Sequence, residues 1–195
     1  MYQIKEEKKA LREEYYKKRS EMDPGRKSAL DKKIVERFKA LATYRYAHTL
    51  LLYYPVKGEI DITPLISDAL SQGKRVAMPR CESSGSIMHF HYINSIDDLK
   101  EGRFGILEPS EDAELFTMDN PGGPCAVVIP ALSYDRGGYR LGYGKGFYDR
   151  YFGHAGISTV GLVYADFLTE RLPHGRFDIA VDIVVTEKEV RVIGK

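Results

Sequence analysis

The sequence predicts an α/β protein: a mainly parallel central sheet flanked by helices, preceded by an N-terminal helical hairpin. Three observations carry that expectation. Short apolar runs of strand length recur at 48–56 (HTLLLYYPV), 75–79 (RVAMP), 126–131 (AVVIPA), 159–165 (TVGLVYA) and 179–186. The run at 48–56 is apolar at successive positions rather than alternate ones, as in a strand covered on both faces. Helical and loop segments alternate with these runs, and that alternation builds a parallel sheet.

Each element has its own warrant. Residues 4–19 read as a helix, with Ile4, Leu11, Tyr15 and then Met22 at helical spacing. Lys8 falls on the same stripe and Arg12 one turn further on. Two readings stand for this pair: surface cations with buried stems, or two charges that hold an anion between them. Asp23 suits an N-cap and Pro24 the first helical position. A second helix is expected to about Leu41, with Leu30, Ile34, Phe38 and Leu41 on one face.

The run at 48–56 leaves the sheet through a loop at 54–59. Thr63 is expected to cap a helix beginning at Pro64 and ending at Gly73. A turn is expected at 81–86. Residues 87–93 (IMHFHYI) alternate as a half-buried strand does, placing His89 and His91 on one face without an evident third metal ligand. Ser95 caps a short helix to Lys100. Residues 103–109 form a loop, and 110–124 are acidic and rich in Pro and Gly, as a surface connection is. Helical character returns at 147–152, a helix-and-loop segment covers 166–177, and 189–193 adds a last short strand.

Composition limits the alternatives. The chain has 195 residues, 43% hydrophobic and 29% charged, which fits one globular domain over 1–195 with the hairpin of 1–41 packed on it. The net charge of +1 gives no argument for nucleic acid or an anionic membrane. Residues 1–39 do carry 13 Lys and Arg against 8 Asp and Glu. Those acidic residues are interspersed and no base-stacking surface accompanies them, so no nucleic-acid partner is expected. The two cysteines, Cys81 and Cys125, form no metal-binding or redox spacing. The charged N-terminus does not resemble a signal peptide, and no apolar run reaches the ~20 residues of a membrane span. A cytoplasmic protein with small-molecule substrates and no membrane partner is expected.

The chemistry concentrates in 130–152, PALSYDRGGYRLGYGKGFYDRYF. Glycines at 137, 138, 142, 144 and 146 let backbone N–H groups approach an anion closely. Arg140 and Lys145 add charge, and a helix starting near Gly146 would turn its first N–H groups toward the same anion. The pattern is neither a Walker A loop, since Gly144-Lys145 is followed by Gly146, nor a dinucleotide fingerprint. A structural glycine turn is the plainer alternative, though a costly one to order. Tyr143, Phe147 and Tyr148 admit two roles, core packing or stacking on a planar heterocycle. Asp149 follows among the cations, where a carboxylate beside phosphates holds Mg2+. Asp182 interrupts an apolar run and needs a partner, either an arginine or a metal. Ligands of such sheets bind outside the carboxyl ends of the strands, so the 54–59 loop and the glycine stretch are expected to face one crevice.

RLGYGKGFYDRYF, preceded by PALSYDRGG, resembles the 5-formyltetrahydrofolate cyclo-ligase (methenyltetrahydrofolate synthetase) family. The resemblance runs from Lys8-Lys9-Ala10-Leu11-Arg12 through Gly58-Glu59-Ile60-Asp61 and the 104–109 segment to Val181-Asp182 and the following IVVTE. It implies a fold akin to the sugar-phosphate isomerases and CoA transferases. It implies conversion of 5-formyltetrahydrofolate to 5,10-methenyltetrahydrofolate, with ATP as co-substrate, Mg2+ as cofactor, and ADP and phosphate released. Carried over by position, it implies ATP binding by Lys8, Lys9 and Arg12 and by Arg140, Leu141, Gly142, Tyr143, Gly144, Lys145, Gly146, Phe147 and Tyr148. Lys145 and Arg140 would be the catalytic cations and Asp149 and Asp182 the metal ligands. Tyr54, Glu59 and Phe104 would line the folate pocket with Tyr143, Phe147 and Tyr148. Another ATP-dependent phosphotransferase on the same scaffold and a non-catalytic nucleotide- or folate-binding module are the alternative readings.

Overall fold

In the computed structural model of the chain, residues 2–56, 58–82, 87–102, 105–152 and 156–194 are described, with side chains from Ile4 onward. In chain order the main elements are α1 (Tyr2–Ser20), α2 (Pro24–Lys39), α3 (Ala42–Arg45), β1 (Thr49–Leu51), α4 (Thr63–Ser71), β2 (Arg75–Cys81) and β3 (Met88–Ile93). They continue with β4 (Lys100–Glu101), β5 (Leu107–Glu108), β6 (Cys125–Ile129), β7 (Ser133–Asp135), β8 (Arg140–Leu141) and α5 (Phe147–Phe152). The chain finishes with β9 (Ser158–Leu162), β10 (Leu168–Thr169), β11 (Ile183–Val185) and β12 (Val190–Val192).

Seven strands form the main sheet in the order β12-β11-β9-β6-β1-β2-β3. The five central strands are parallel, and β3 and β12 pair antiparallel at the two edges. The apolar runs mark the centre: Leu50, Leu51, Ala126, Val127, Val128 and Ile129 have no exposed surface. Truncating Leu50, Leu51 or Ile129 to Ala costs about 2–5 kcal/mol in cavity and lost transfer energy. The chain builds outward from β1 to β2 and β3, then returns to place β6 on the other side of β1. The order of the strands therefore reverses between β1 and β6, which pair with Leu51 opposite Val127. In open α/β sheets ligands bind outside the strand ends at such a reversal.

Several boundaries differ from those expected. β1 is three residues long, because only Thr49–Leu51 pairs on both sides; Leu52 adds one further bond to the Ala77 carbonyl. The strand expected over 179–186 is confined to Ile183–Val185, since the preceding residues turn away to bond Gly138 and Asp149. α4 begins at Thr63 rather than Pro64. Thr63 does not accept as a cap; its N–H and hydroxyl both donate to Asp61 Oδ1. Asp23 caps α2 as expected, accepting the Arg26 N–H at 2.7 Å. Ser95 caps a 3-10 turn over Ile96–Asp98, and Asp98 returns the bond to the Ser95 N–H. The short helix α3 and the two-stranded pair β4–β5 were not anticipated.

The stretch at 130–152 is more ordered than a glycine loop. β7 and β8 form a hairpin, and β10 joins it as a second, three-stranded sheet. Asp135 holds the turn: its Oδ1 accepts the N–H groups of Gly137 and Tyr139, and its Oδ2 that of Leu172. Tyr134 locks this small sheet to the main one. Its hydroxyl donates to the Ile129 carbonyl at 2.8 Å, and its ring covers Gly161, where a Cβ would lie 2.4 Å from the ring.

α1 and α2 reach different partners. α1 lies along the hairpin: Tyr15 meets Phe167 edge-on at 5.6 Å, and Lys8, Arg12 and Arg19 each bond residues between 131 and 178. α2 buries Ile34, Val35 and Phe38, and its Asp31 accepts from Tyr164.

Candidate active site

The segments leaving the carboxyl ends of β1 and β6 meet, as the strand reversal requires. From β1 the chain runs through Tyr54, half-buried, to Glu59, which is 6% exposed. Glu59 Oε2 accepts the Val56 N–H at 2.9 Å, closing a tight turn in which Gly58 has a φ of +76°. From β6 the chain passes through the hairpin to Gly142–Gly146. The Tyr143 side chain turns inward and hydrogen-bonds Glu59. Burial, and then the Glu59 charge, raise the Tyr143 phenol well above its usual value, so it stays protonated and donates. Burial also raises the Glu59 carboxyl, against the Tyr143 hydroxyl, the Val56 N–H and Arg19, which lower it.

Gly142–Gly146 is shaped by arginines on two sides. Arg12 Nε donates to the Gly142 carbonyl at 2.8 Å. A Cβ on Gly144, whose φ is +92°, would sit 3.3 Å from the Arg12 guanidinium carbon. On the other side Arg150 donates to the Lys145 carbonyl, and a Cβ on Gly146 would sit 2.8 Å from its Nη1. Glycine at 144 and 146 thus permits both a left-handed backbone and the close approach of two cations. Lys145 is exposed, Leu141 buried, and Phe147 half-buried with Arg150 above its ring at 5.7 Å. α5 has six residues, too few for the helix dipole expected to reinforce an anion here.

The N-terminal cations divide. Lys8 is latched to Asp178 at 2.6 Å, Arg12 lies on the glycine loop, and Lys9 is exposed. Burial works against ionised Asp178, but the Gly175 N–H and Lys8 hold its carboxyl below the ordinary aspartate value. Arg140 is 7% exposed and committed: Nη2 pairs with Asp149 Oδ1 at 2.8 Å and Nη1 donates to the Ile179 carbonyl. Asp149 Oδ1 also accepts the Ile179 N–H.

Asp182 is half-buried one residue before β11, and its Oδ2 accepts both the N–H and the hydroxyl of Thr159. Its described partner is thus a threonine of the neighbouring strand. Among the described residues no three His, Cys, Asp or Glu side chains cluster as a metal-binding group. Mg2+ needs no such cage, since it takes one or two carboxylates together with substrate phosphates. Asp149, adjoining the glycine loop, fits that chemistry.

Tyr148 faces the core. It meets Phe90 edge-on at 6.4 Å and stacks beside Phe152 at 6.1 Å. Burial first, and the Glu59 charge next, raise its phenol well above the usual value. Phe104 lies outside the described residues.

Two contributors were missed from sequence. Asp178 latches Lys8, and Arg19 donates to the Tyr143 hydroxyl and to the carbonyls of Ala131 and Leu132. Arg19 stands seven residues after Arg12, on the same face of α1, within a run of three cations that reads as solvated.

The 5-formyltetrahydrofolate cyclo-ligase family model matches residues 4–187. The chain is 29% identical over 182 residues to the 5-formyltetrahydrofolate cyclo-ligase of Escherichia coli K12, covering 89% of this chain and 96% of that protein. It is 31% identical over 145 residues to the Mycolicibacterium smegmatis cyclo-ligase, covering 72% of this chain and 74% of that one. Among solved structures, the Aquifex aeolicus 5,10-methenyltetrahydrofolate synthetase superposes with a TM-score of 0.82 at 33% identity, over 96% of this chain and 93% of that one.

Proposed function

The chain belongs to the 5-formyltetrahydrofolate cyclo-ligase family, and we infer that it converts 5-formyltetrahydrofolate to 5,10-methenyltetrahydrofolate at the expense of ATP. The observation that carries this reading is the hydrogen bond between Glu59 and Tyr143. It joins the segment leaving β1 to the glycine loop leaving β6, so a folate held at the first and a nucleotide held at the second would lie side by side. A reaction between a phosphate donor and a second small molecule requires that adjacency.

On the nucleotide side, the amides of Gly142–Gly146 and the exposed Lys145 would surround the ATP phosphates, with Arg12 and Lys8 from α1 behind them. Lys145 would neutralise charge on the transferring phosphoryl group, and fixed donors of that kind supply most of the catalysis in phosphoryl transfer. Arg140 would act one step back, by holding Asp149. Mg2+, held by Asp149 with help from Asp182, would screen the phosphate charge. On the other side Glu59 and Tyr54 would hold the folate, with Tyr148 closing the pocket against the core.

The chemistry needs no protein nucleophile. The formyl oxygen attacks the γ-phosphorus, the bond to the bridging oxygen breaks, and ADP leaves. The second ring-adjacent nitrogen of the same folate then bonds to the activated formyl carbon and loses its proton. The carbon–oxygen bond breaks and phosphate departs, leaving the methenyl bridge. Both reacting groups belong to one bound molecule, so closure is intramolecular. We place this chemistry in the reducing cytoplasm.

The test is the near-UV absorbance of the methenyl product. It should rise when ATP, Mg2+ and 5-formyltetrahydrofolate are all present, and stay flat when any one is omitted. A flat trace with all three at high enzyme concentration refutes the reading.

A further inference from the structure

We propose that Arg19 is a positioning residue for the folate side of the site, acting on Glu59 through the hydroxyl of Tyr143; the proposal rests on the reading of the reaction given above.

Arg19 is the penultimate residue of α1 and is 7% exposed. Its Nη1 donates to Tyr143 Oη at 3.1 Å, and its Nη2 reaches the carbonyls of Ala131 and Leu132, just beyond β6. A guanidinium can only donate. Tyr143 Oη must therefore accept from Arg19 and send its own proton onward, and its partner there is Glu59. Glu59 is also fixed by the Val56 N–H on Oε2. The bonds run one way, from Arg19 to Tyr143 to Glu59, and leave the carboxylate as an oriented acceptor. Its remaining lone pairs are then available to the N–H donors of a pterin ring.

A purely structural tie would not need this residue. The Nε–H of Arg19 is buried without a partner among the described residues, a cost that two carbonyl bonds do not explain. A buried guanidinium needs a compensating charge, and the Glu59 carboxylate supplies one. The groups facing Glu59 are Tyr16 and Arg19 from α1, Lys27 from α2, Tyr53 from its own segment, and Tyr143 and Tyr148 from the glycine segment. Of the two cations Arg19 lowers the Glu59 carboxyl more, so with the Tyr143 hydroxyl and the Val56 N–H it favours the ionised carboxylate against burial. A cavity of about 530 Å³ lined by Tyr16, Lys17, Arg19, Ser20 and Gly58 opens beside this relay.

The experiment measures calorimetric binding of 5-formyltetrahydrofolate and, separately, of ADP to the full chain across pH. Arg19→Met should weaken folate binding by about tenfold or more, the loss expected when a charged hydrogen bond is removed. ADP binding should stay within about threefold, and the acid limb of folate binding should move to higher pH because Glu59 loses its cation. Arg19→Lys should return the limb toward its wild-type position by restoring the charge. Tyr143→Phe, which leaves the two carbonyl bonds of Arg19 in place, should weaken folate binding comparably. The double variant Arg19→Met/Tyr143→Phe should be no worse than the weaker single within about twofold, as for two members of one relay. Equal weakening of folate and ADP with an unmoved acid limb, or multiplicative losses in the double variant, would overturn the proposal. If Arg19→Met does not fold, Arg19→Gln takes its place in the single and the double variant and gives the same additivity test. Wild-type protein that binds the folate without turning it over defeats the reading of the reaction while these comparisons still decide the role of Arg19. Wild-type protein that binds no folate overturns both.

Discussion

Arg140 and Asp149 meet at 2.8 Å in an unequal pair: the guanidinium is 5% exposed and the carboxylate 22%. The arginine is the buried member, and the carboxylate keeps a face toward solvent. Removing the carboxylate strands a buried cation, which costs about 3–5 kcal/mol. Asp149→Ala should therefore destabilise the protein by about that amount in urea denaturation, and Arg140→Met by less, because the carboxylate it leaves is partly hydrated. A larger loss for Arg140→Met would reverse the assignment of which charge depends on the other.

Gly144 and Gly142 make a matched test of the loop. Gly144 has a φ of +92° and a built Cβ would lie 3.3 Å from the Arg12 guanidinium, whereas the nearest neighbour of a Cβ on Gly142 is 4.0 Å away. Gly144→Ala should lower stability by about 1 kcal/mol or more through backbone strain, and Gly142→Ala should stay within about 0.5 kcal/mol. Thermal melts read both. Gly144→Ala should also raise the KM for ATP, because the cation it displaces lies on the loop.

Lys145 is the exposed cation of the same loop. If it stabilises the transferring phosphoryl group, Lys145→Ala should reduce kcat by about 100-fold or more, with little change in melting temperature because the side chain is not in the core. Turnover within threefold of wild type would remove it from the mechanism.

Glu59 gives a pH signature. Its raised carboxyl means that the folded protein holds this proton more tightly than the unfolded chain. Ionised Glu59 therefore subtracts stability above its raised pKa, and the subtraction vanishes as pH falls below the ordinary glutamate value, about 4.3. Glu59→Gln removes the charge. The stability of the variant relative to wild type should rise from acid to neutral pH, while folate binding falls. A difference independent of pH would mean that the Glu59 carboxyl titrates alike in the folded and unfolded chain, so that burial does not raise it.

The same residues show what a sequence can carry. The central strands were legible because Leu50–Leu51 and Ala126–Ile129 are apolar on both faces, a pattern that burial on both sides imposes locally. The cap at Asp23 was legible because its acceptor and donor are three residues apart. The hairpin of β7 and β8 was missed because glycine density alone does not distinguish an anion nest from a turn. The deciding contact is Asp135 accepting from the Gly137 and Tyr139 N–H groups, two and four residues on, and from sequence Asp135 was assigned no role. The partners of Arg140 and Asp182 depend on tertiary structure: Asp149 is set by where α5 begins, and Thr159 lies 23 residues from Asp182, on another strand. Arg19 was hidden by its neighbours, since a side chain inside a Lys-Lys-Arg run reads as solvated until its helix face is known.

Lys8, Arg12 and Arg19 contact residues 170, 130 and 112 positions further along the chain. On a ribosome α1 emerges well before the carbonyls of Ala131, Leu132 and Gly142 and the carboxylate of Asp178 that hold it. Until those are made it is a cationic helix whose intended partners do not yet exist. The nucleotide side of the site is therefore assembled only once synthesis has passed residue 178. A product cut short before Asp178 would keep the strands made up to that point but not the latch for Lys8, so catalytic competence would report that synthesis had passed that residue.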